Sequence, residues 1–332
     1  MINVGVVGTG MIGQDHIRRM STLLAGVTVT AVTDVDAAVA ARVAASVGAR
    51  ALPTGQDVIA DPLVDAVLVC SWGPTHEEYV LAAIAAGKPV FCEKPLATTA
   101  AACERIVEAE VAAGRRLVQV GYMRRYDPAY QELKAVVDSG RIGAPLMMHC
   151  AHRNAGVPAF YEKENTITDS AVHEIDMARW LFGEEITATR VLLPRGNRNG
   201  GDLADPIFLI LELASGALVD VEVSVNIRYG YDIRGEVVGE NGTASLASPT
   251  PVVVRHDGAA SIPIGADWRE RFARAYDLEL QDWADAVARG VPTGPTAWDG
   301  YAAAVASDAA VRALRTGDRV PVTLMARPAL YS

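Results

Sequence analysis

Near its start the sequence runs Gly8-Thr9-Gly10-Met11-Ile12-Gly13, after the apolar segment 2–7 and before a stretch with helical spacing. A G-x-G-x-x-G run in that setting fits the turn of a β–α–β unit. The first glycine permits the tight turn, the second leaves the backbone open to close approach, and the third lets helix and strand pack. The helix that follows offers unsatisfied N–H groups and the positive end of its dipole, a cradle for a pyrophosphate. Asp34 closes the second apolar segment, about 20 residues on, where a ribose-binding acid is expected. Its carboxylate suits two ribose hydroxyls and repels a 2′-phosphate, and Arg42 lies too far along the next helix to welcome one. NAD is therefore expected over NADP, with Gly8, Gly10, Met11, Ile12, Gly13 and Asp34 around it. The alternative is a glycine-rich turn followed by a helix-capping Asp.

The rest of the first third repeats this alternation. Short valine-rich runs at 2–7, 27–33, 66–70, 89–92 and 116–121 are separated by alanine-rich helical stretches at 37–47, 77–86 and 99–113. Nearly continuous apolar strands between helices predict a parallel sheet covered on both faces. After Gly121 the pattern changes. Helices at 128–137 and about 169–182 flank a strand near 146–152. Strands follow in succession at 188–193, 207–213, 217–226 and 231–239, with turn signals Ser215-Gly216 and Asn241-Gly242. Helices at 269–289 and 301–315 end the pattern. The fold class expected is α/β: an N-terminal Rossmann dinucleotide-binding domain (1–122), then a C-terminal α+β domain (123–332) with a large, mostly antiparallel open sheet. A chain of 332 residues is long enough for two cores. The segment 194–206, rich in Gly, Asn and Arg, reads as an exposed loop.

A formal net charge of −10 without a long basic run argues against a nucleic-acid partner. No uncharged apolar run is long enough to span a bilayer, and the N-terminus lacks the features of a signal peptide. A cytoplasmic location is expected. Cys70, Cys92, Cys103 and Cys150 form no C-x-x-C pair and read as reduced thiols.

Ligands of such sheets bind beyond the carboxyl ends of the strands. Ser71, Trp72 and His76 are thus expected to border the cofactor. His76 equally suits a surface position in a first helical turn, and Thr75 reads as its N-cap. Glu93-Lys94-Pro95 follows a strand on the same edge, so Glu93 and Lys94 are expected beside the cofactor too; a lysine there can also stabilise a developing alkoxide. Asp169, His173 and Asp176 share one face of a regular helix, with Trp180 extending the stripe. A histidine flanked by acids suits a general base, although a solvated helix face has the same pattern. In His149-Cys150-Ala151-His152-Arg153-Asn154, strand alternation puts His152 and Asn154 on one side and His149 on the other. That argues against a shared metal and for hydrogen bonds to a polyhydroxylated substrate. Arg124 and Arg125 follow the sixth strand, within reach of cofactor or substrate or holding domains together.

These residues resemble the Gfo/Idh/MocA oxidoreductases over nearly the whole length. Gly8–Gly13, the Glu93-Lys94-Pro95 tripeptide and the Asp169/His173 pair carry the family pattern. Five further segments are similar to its inositol-oxidising branch: Gly121-Tyr122-Met123-Arg124-Arg125-Tyr126-Asp127, His149 to Asn154, Val172-His173-Glu174-Ile175-Asp176, Tyr229-Gly230-Tyr231-Asp232-Ile233 and Ala275-Tyr276-Asp277-Leu278-Glu279. The resemblance implies NAD-dependent oxidation of a ring hydroxyl, at C2 of an inositol, to a ketone. It implies Lys94, Asp169 and His173 as catalytic residues, with His173 the base. Met123, Arg124, His152, Asn154, Tyr231 and Tyr276 would line the substrate pocket, no metal would be needed, and the open sheet would build a homotetramer. The alternatives are a dehydrogenase of another inositol isomer or a pyranose, a non-catalytic sugar sensor, and a glycosidase using bound NAD.

Overall fold

The computed structural model describes residues 1–247 and 252–332. The chain divides into two compact units, one of 1–122, 276–304 and 324–332, the other of 123–275 and 305–323.

The first unit is built on six parallel strands: β1 (Ile2–Val7), β2 (Val27–Thr33), β3 (Arg50–Ala51), β4 (Ala66–Val69), β5 (Val90–Glu93) and β6 (Val118–Gly121). Their order is β3-β2-β1-β4-β5-β6, the doubly wound arrangement. Strand order reverses between β1 and β4, so a crevice opens at their carboxyl ends, where Gly8 and Ser71 lie. Val4, Val6, Val67, Leu68 and Phe91 are fully buried because helices cover both faces of the sheet. Local chemistry starts and stops those helices. Asp36 accepts from the N–H groups of Ala38 and Val39 at the head of Ala37–Val47, and Gly48 ends it in the left-handed region.

The single boundary after residue 122 expected from the sequence differs from this division. In the helix Ala273–Arg289, Leu280, Trp283 and Ala284 pack into one cluster with Val4, Ile17, Met20 and Phe91. Phe91 and Trp283 meet edge-on at 5.8 Å. Near the chain end, Tyr331 donates to buried Glu110 at 2.5 Å and packs beside Trp298. Burial of such large side chains stabilises by about 1.5–3 kcal/mol each, enough to draw distant segments onto the first core.

The second unit carries a seven-stranded mixed sheet. It contains β7 (Pro145–Arg153), β8 (Ile186–Leu192), β9 (Ile207–Leu213), β10 (Leu218–Ser224), β11 (Asp232–Gly239), β12 (Gly242–Ser245) and a short strand, Val320–Pro321. The order is β12-β11-β7-β10-β9-β8 and then the short strand, with β7–β10 parallel and the other pairs antiparallel. Alternation sorts the two faces: Ile207, Leu209, Leu211 and Leu213 are buried while Phe208, Ile210 and Glu212 are partly open. The predicted helix 269–289 is broken, with Trp268–Arg271 ending at fully buried Phe272 before Ala273–Arg289 begins. Arg271, Arg124 and Tyr231 all pack on the Phe272 ring, so the break places an aromatic anchor.

Among the described residues no helix is long and apolar enough to cross a membrane, and no group of three or more His, Cys, Asp or Glu is arranged to hold a metal ion. The four cysteines are buried and unbridged, and burial pushes the Cys70, Cys92 and Cys150 thiols well up, so they are poor nucleophiles.

Candidate active site

The glycine-rich turn of the first unit assigns each glycine a task. Gly8 has φ +95°, and a Cβ there would lie 2.5 Å from the Ser71 nitrogen. A Cβ on Gly13 would lie 2.1 Å from the Gly8 carbonyl oxygen. At Gly10 a Cβ would meet nothing within 4 Å. The turn is closed on the protein side and open at Gly10. Gly10 is also the N-cap of the helix Met11–Thr22 and provides no capping side chain. Open backbone N–H groups at a helix start fit an anionic pyrophosphate. Met11 is exposed beside the turn, while Ile12 packs against the core.

Asp34 accepts from the Thr9 N–H at 2.6 Å, the Thr9 hydroxyl at 3.0 Å and the Asp36 N–H at 3.0 Å. Partial burial pushes its carboxyl up, but these hydrogen bonds outweigh it and hold the group below the usual carboxylate value. The helix cap is made by Asp36, which answers the capping alternative for Asp34. The remaining lone pairs of a half-exposed carboxylate fit ribose hydroxyls.

Ser71 and Thr75 share a hydrogen bond of 2.7 Å, and Trp72 is 78% exposed. Thr75 makes no side-chain cap; its hydroxyl donates to the Trp72 carbonyl oxygen instead. His76 is buried, not a surface residue. Its Nδ1 lies 2.8 Å from the Pro95 carbonyl oxygen and its Nε2 2.9 Å from that of Ser71. It ties the Ser71 and Lys94 loops together. Glu93 is buried as well: Oε1 lies 2.6 Å from His16 Nε2, and Oε2 accepts from the Lys94 N–H at 3.1 Å. Lys94 is half-buried and precedes a cis peptide to Pro95. Tyr276 packs on His16 at 5.6 Å and beneath Arg19 at 5.4 Å, within the first unit.

In the second unit the expected regular helix begins differently. Thr166–Ala171 is a π-helical turn, and the α-helix proper is Val172–Phe182. Such turns are rare and recur at functional sites. Asp169 lies in the π turn and His173 in the first α turn, so the uniform spacing predicted across them does not hold. Neither is a solvated helix face the right description, since Val172 to Arg179 are all buried. Asp176 is held by Arg125 in a two-pronged pair at 2.9 and 2.5 Å. Trp180 lies under Lys134.

Arg124, 1% exposed, pairs with Glu174 and lies with Nη2 3.2 Å from His152 Nδ1. Its guanidinium, expected to reach cofactor or substrate, is buried and directed to Glu174. Burial pushes the Glu174 carboxyl up, and its interactions with Arg124 and His152 more than offset this, leaving it at about 2. His152 is buried, with Tyr231 edge-on at 5.9 Å and the His173 ring at 6.4 Å. His149, on the opposite face, is exposed and bonded to Asp220. Asn154 follows β7; its backbone is fixed by the Ser224 carbonyl and the Ile227 N–H, yet its buried Oδ1 has no donor. An orphaned acceptor fits a ligand hydroxyl. Met123 is buried in the short helix Met123–Tyr126.

Residues 2–122 match the NAD-binding Rossmann fold of the Gfo/Idh/MocA oxidoreductase family, and residues 134–324 match its C-terminal alpha/beta domain. The chain belongs to the Gfo/Idh/MocA oxidoreductases. It is 56% identical to inositol 2-dehydrogenase 3 of Saccharopolyspora erythraea, covering 99% of this chain and 98% of that protein. It is equally identical to inositol 2-dehydrogenase of Pseudomonas fluorescens, over 100% and 99%. The structure of Lactobacillus casei myo-inositol dehydrogenase with NAD(H) and myo-inositol superposes with a TM-score of 0.98 over the full length of both chains, at 37% identity.

This Gfo/Idh/MocA chain also uses residues that sequence reasoning passed over. His16 and Glu174 are buried ionisable groups whose partners lie 77 and 50 residues away. Both lie among other polar residues in the sequence, so no local pattern marked them. Asp205, in the loop read as exposed, is buried and accepts from the Ser224 hydroxyl at 3.1 Å and the Val225 N–H at 3.0 Å.

Proposed function

We propose that this oxidoreductase removes a hydride and a proton from the C2 carbinol of myo-inositol, giving 2-keto-myo-inositol, with NAD as acceptor. The observation that carries this reading is the full-length likeness to a structure holding both NAD(H) and myo-inositol. The open side of Gly10, the anchored Asp34 carboxylate and the orphaned Asn154 acceptor support it.

NAD, when bound, supplies the hydride acceptor. The chain handles the proton and the charge on oxygen. His173 takes the hydroxyl proton as general base. Asp169 orients His173 and balances its charge. The Lys94 ammonium hydrogen-bonds the same oxygen and stabilises its developing negative charge. Met123, His152, Asn154 and Tyr231 bind the ring. Arg124, Glu93 and His76 position neighbouring groups, and Gly8, Gly10, Met11, Ile12, Gly13, Asp34, Ser71 and Trp72 hold the cofactor. Tyr276 braces His16. We further propose a cytoplasmic homotetramer joined through the open sheet face, where Met147, Leu192 and Leu218 are exposed. Domain roles follow: residues 1–122 for NAD, and 123–332 for substrate and assembly, with 276–304 and 324–332 supporting the first core.

The test is NADH formation with NAD and a panel of myo-, scyllo- and chiro-inositol and glucose at mildly alkaline pH, where proton release favours oxidation. Fastest turnover with myo-inositol is expected. Preference for another polyol moves the substrate; no NADH from any of them, with NAD bound, overturns the enzymatic reading.

A further inference from the structure

His152 keeps its polar partners on one side. Nδ1 lies 3.0 Å from Glu174 Oε2 and 3.2 Å from Arg124 Nη2. Arg124 only donates, and an ionised carboxylate only accepts. Arg124 Nη1 already serves the other Glu174 oxygen, Oε1. Oε2 therefore depends on His152 for a donor. With the ring proton on Nδ1, the buried carboxylate is satisfied at both oxygens. With it on Nε2, Nδ1 can accept from Arg124 Nη2, but its lone pair also faces the anion, and that oxygen loses its donor in a site closed to water. The shorter contact, and the donor that Oε2 would otherwise lack, favour the first arrangement. Tyr231, edge-on, limits rotation of the ring, which lies beside His173.

We propose that Glu174 is a positioning residue: it holds the proton of His152 on Nδ1 and so presents Nε2 as a hydrogen-bond acceptor to one hydroxyl of the bound polyol. This rests on the inositol reading above and deepens it. An acceptor nitrogen demands an O–H at one ring position. An epimer or analogue without a donor there leaves the nitrogen unpaired, a strong means of discrimination.

The experiment uses the full-length enzyme and monofluorinated inositols, in which fluorine replaces one hydroxyl away from the reacting carbon and cannot donate. In the wild type, the ratio of KM for the fluoro compound to KM for the parent is expected to be large, about 30-fold or more, at one ring position. In Glu174→Gln the amide can donate to Nδ1 and shift the ring proton to Nε2, so the ratio at that position falls to about threefold or less, while Glu174→Asp restores it. Equal ratios in wild type and Glu174→Gln overturn the proposal, because a merely structural role alters KM without regard to which hydroxyl is missing. A second readout needs no folded Glu174 variant. In wild-type protein labelled with 15N-histidine, the His152 signal, identified by its loss in His152→Asn, is expected to show a proton on Nδ1 and none on Nε2. A proton on Nε2 overturns the proposal. Wild type that oxidises no inositol defeats the inositol reading instead, and the 15N spectrum still decides the tautomer.

Discussion

Thr9 and Asp34 are joined twice, through the Thr9 backbone N–H at 2.6 Å and its hydroxyl at 3.0 Å. The residue proposed to read the ribose therefore also fastens the turn proposed to hold the pyrophosphate. Asp34→Ser should do two things. It should relax the preference for NAD over NADP, and it should lower kcat/KM for NAD roughly 10- to 100-fold, matching the loss of charge-assisted hydrogen bonds worth about 1.5–3 kcal/mol. Steady-state kinetics with both cofactors checks this. An unchanged NAD/NADP ratio counts against the ribose role.

Gly10 and Gly13 separate cofactor binding from folding. A Cβ at Gly13 meets the Gly8 carbonyl oxygen at 2.1 Å, whereas one at Gly10 meets no protein atom within 4 Å. Gly13→Ala should lower the melting temperature markedly, since overpacking typically costs about 1–3 kcal/mol even where neighbours can shift. Gly10→Ala should melt like wild type yet bind NAD at least about tenfold more weakly, because its methyl intrudes only on the ligand side. Thermal melts and NAD titrations of both variants test the pair; a Gly10→Ala protein with normal NAD affinity places the pyrophosphate elsewhere.

Glu93 links buried His16 to the Lys94 backbone. In Glu93→Gln the carboxylate bond to His16 is replaced by a weaker neutral one. Turnover should fall about tenfold through misplacement of Lys94, with NAD affinity changed far less. Comparison of kcat with the NAD Kd checks this, and a loss confined to NAD affinity would assign Glu93 to cofactor binding.

Much of the first unit was legible because its signals are local. Runs of valine, alanine-rich helices and glycines at fixed offsets lie within a few residues of one another, and β1 and β2 have the bounds read from the sequence. The strand Arg50–Ala51 escaped notice because two residues carry no periodicity. In the second unit the succession of strands was readable, as was the opposite orientation of His149 and His152. The π turn was not, since it has the composition of an ordinary helix start. Pairings such as Arg125 with Asp176 and Arg124 with Glu174 were equally hidden. They join residues about fifty apart, and no local pattern says which acid a buried arginine will meet. The same limit hid the return of Leu280 and Trp283 to the first core.

Glu174 gives the fold a pH signature. Its carboxyl has an ordinary value of 4.5 and sits at about 2 in the protein, burial raising it and Arg124 and His152 lowering it further. A depressed value stabilises the fold at pH above 4.5, and that contribution fades as pH falls from 4.5 through about 2. Glu174→Gln should therefore melt well below wild type at neutral pH, by an amount that shrinks as the solution is acidified below 4.5. Melting temperatures of both proteins from pH 7 to pH 3 check this; a gap that widens with acid has the wrong sign.

The most direct measurement is the initial rate of NADH formation from NAD and myo-inositol in the wild type, Lys94→Ala and His173→Ala, with NAD binding followed separately by titration. The wild type should produce NADH. Each variant should bind NAD normally and lose roughly 10²–10⁴-fold in turnover, the range expected for a missing base or charge-stabilising group. Normal turnover in either variant would contradict its role, and a wild type that binds NAD but oxidises no inositol would contradict the reading as a whole.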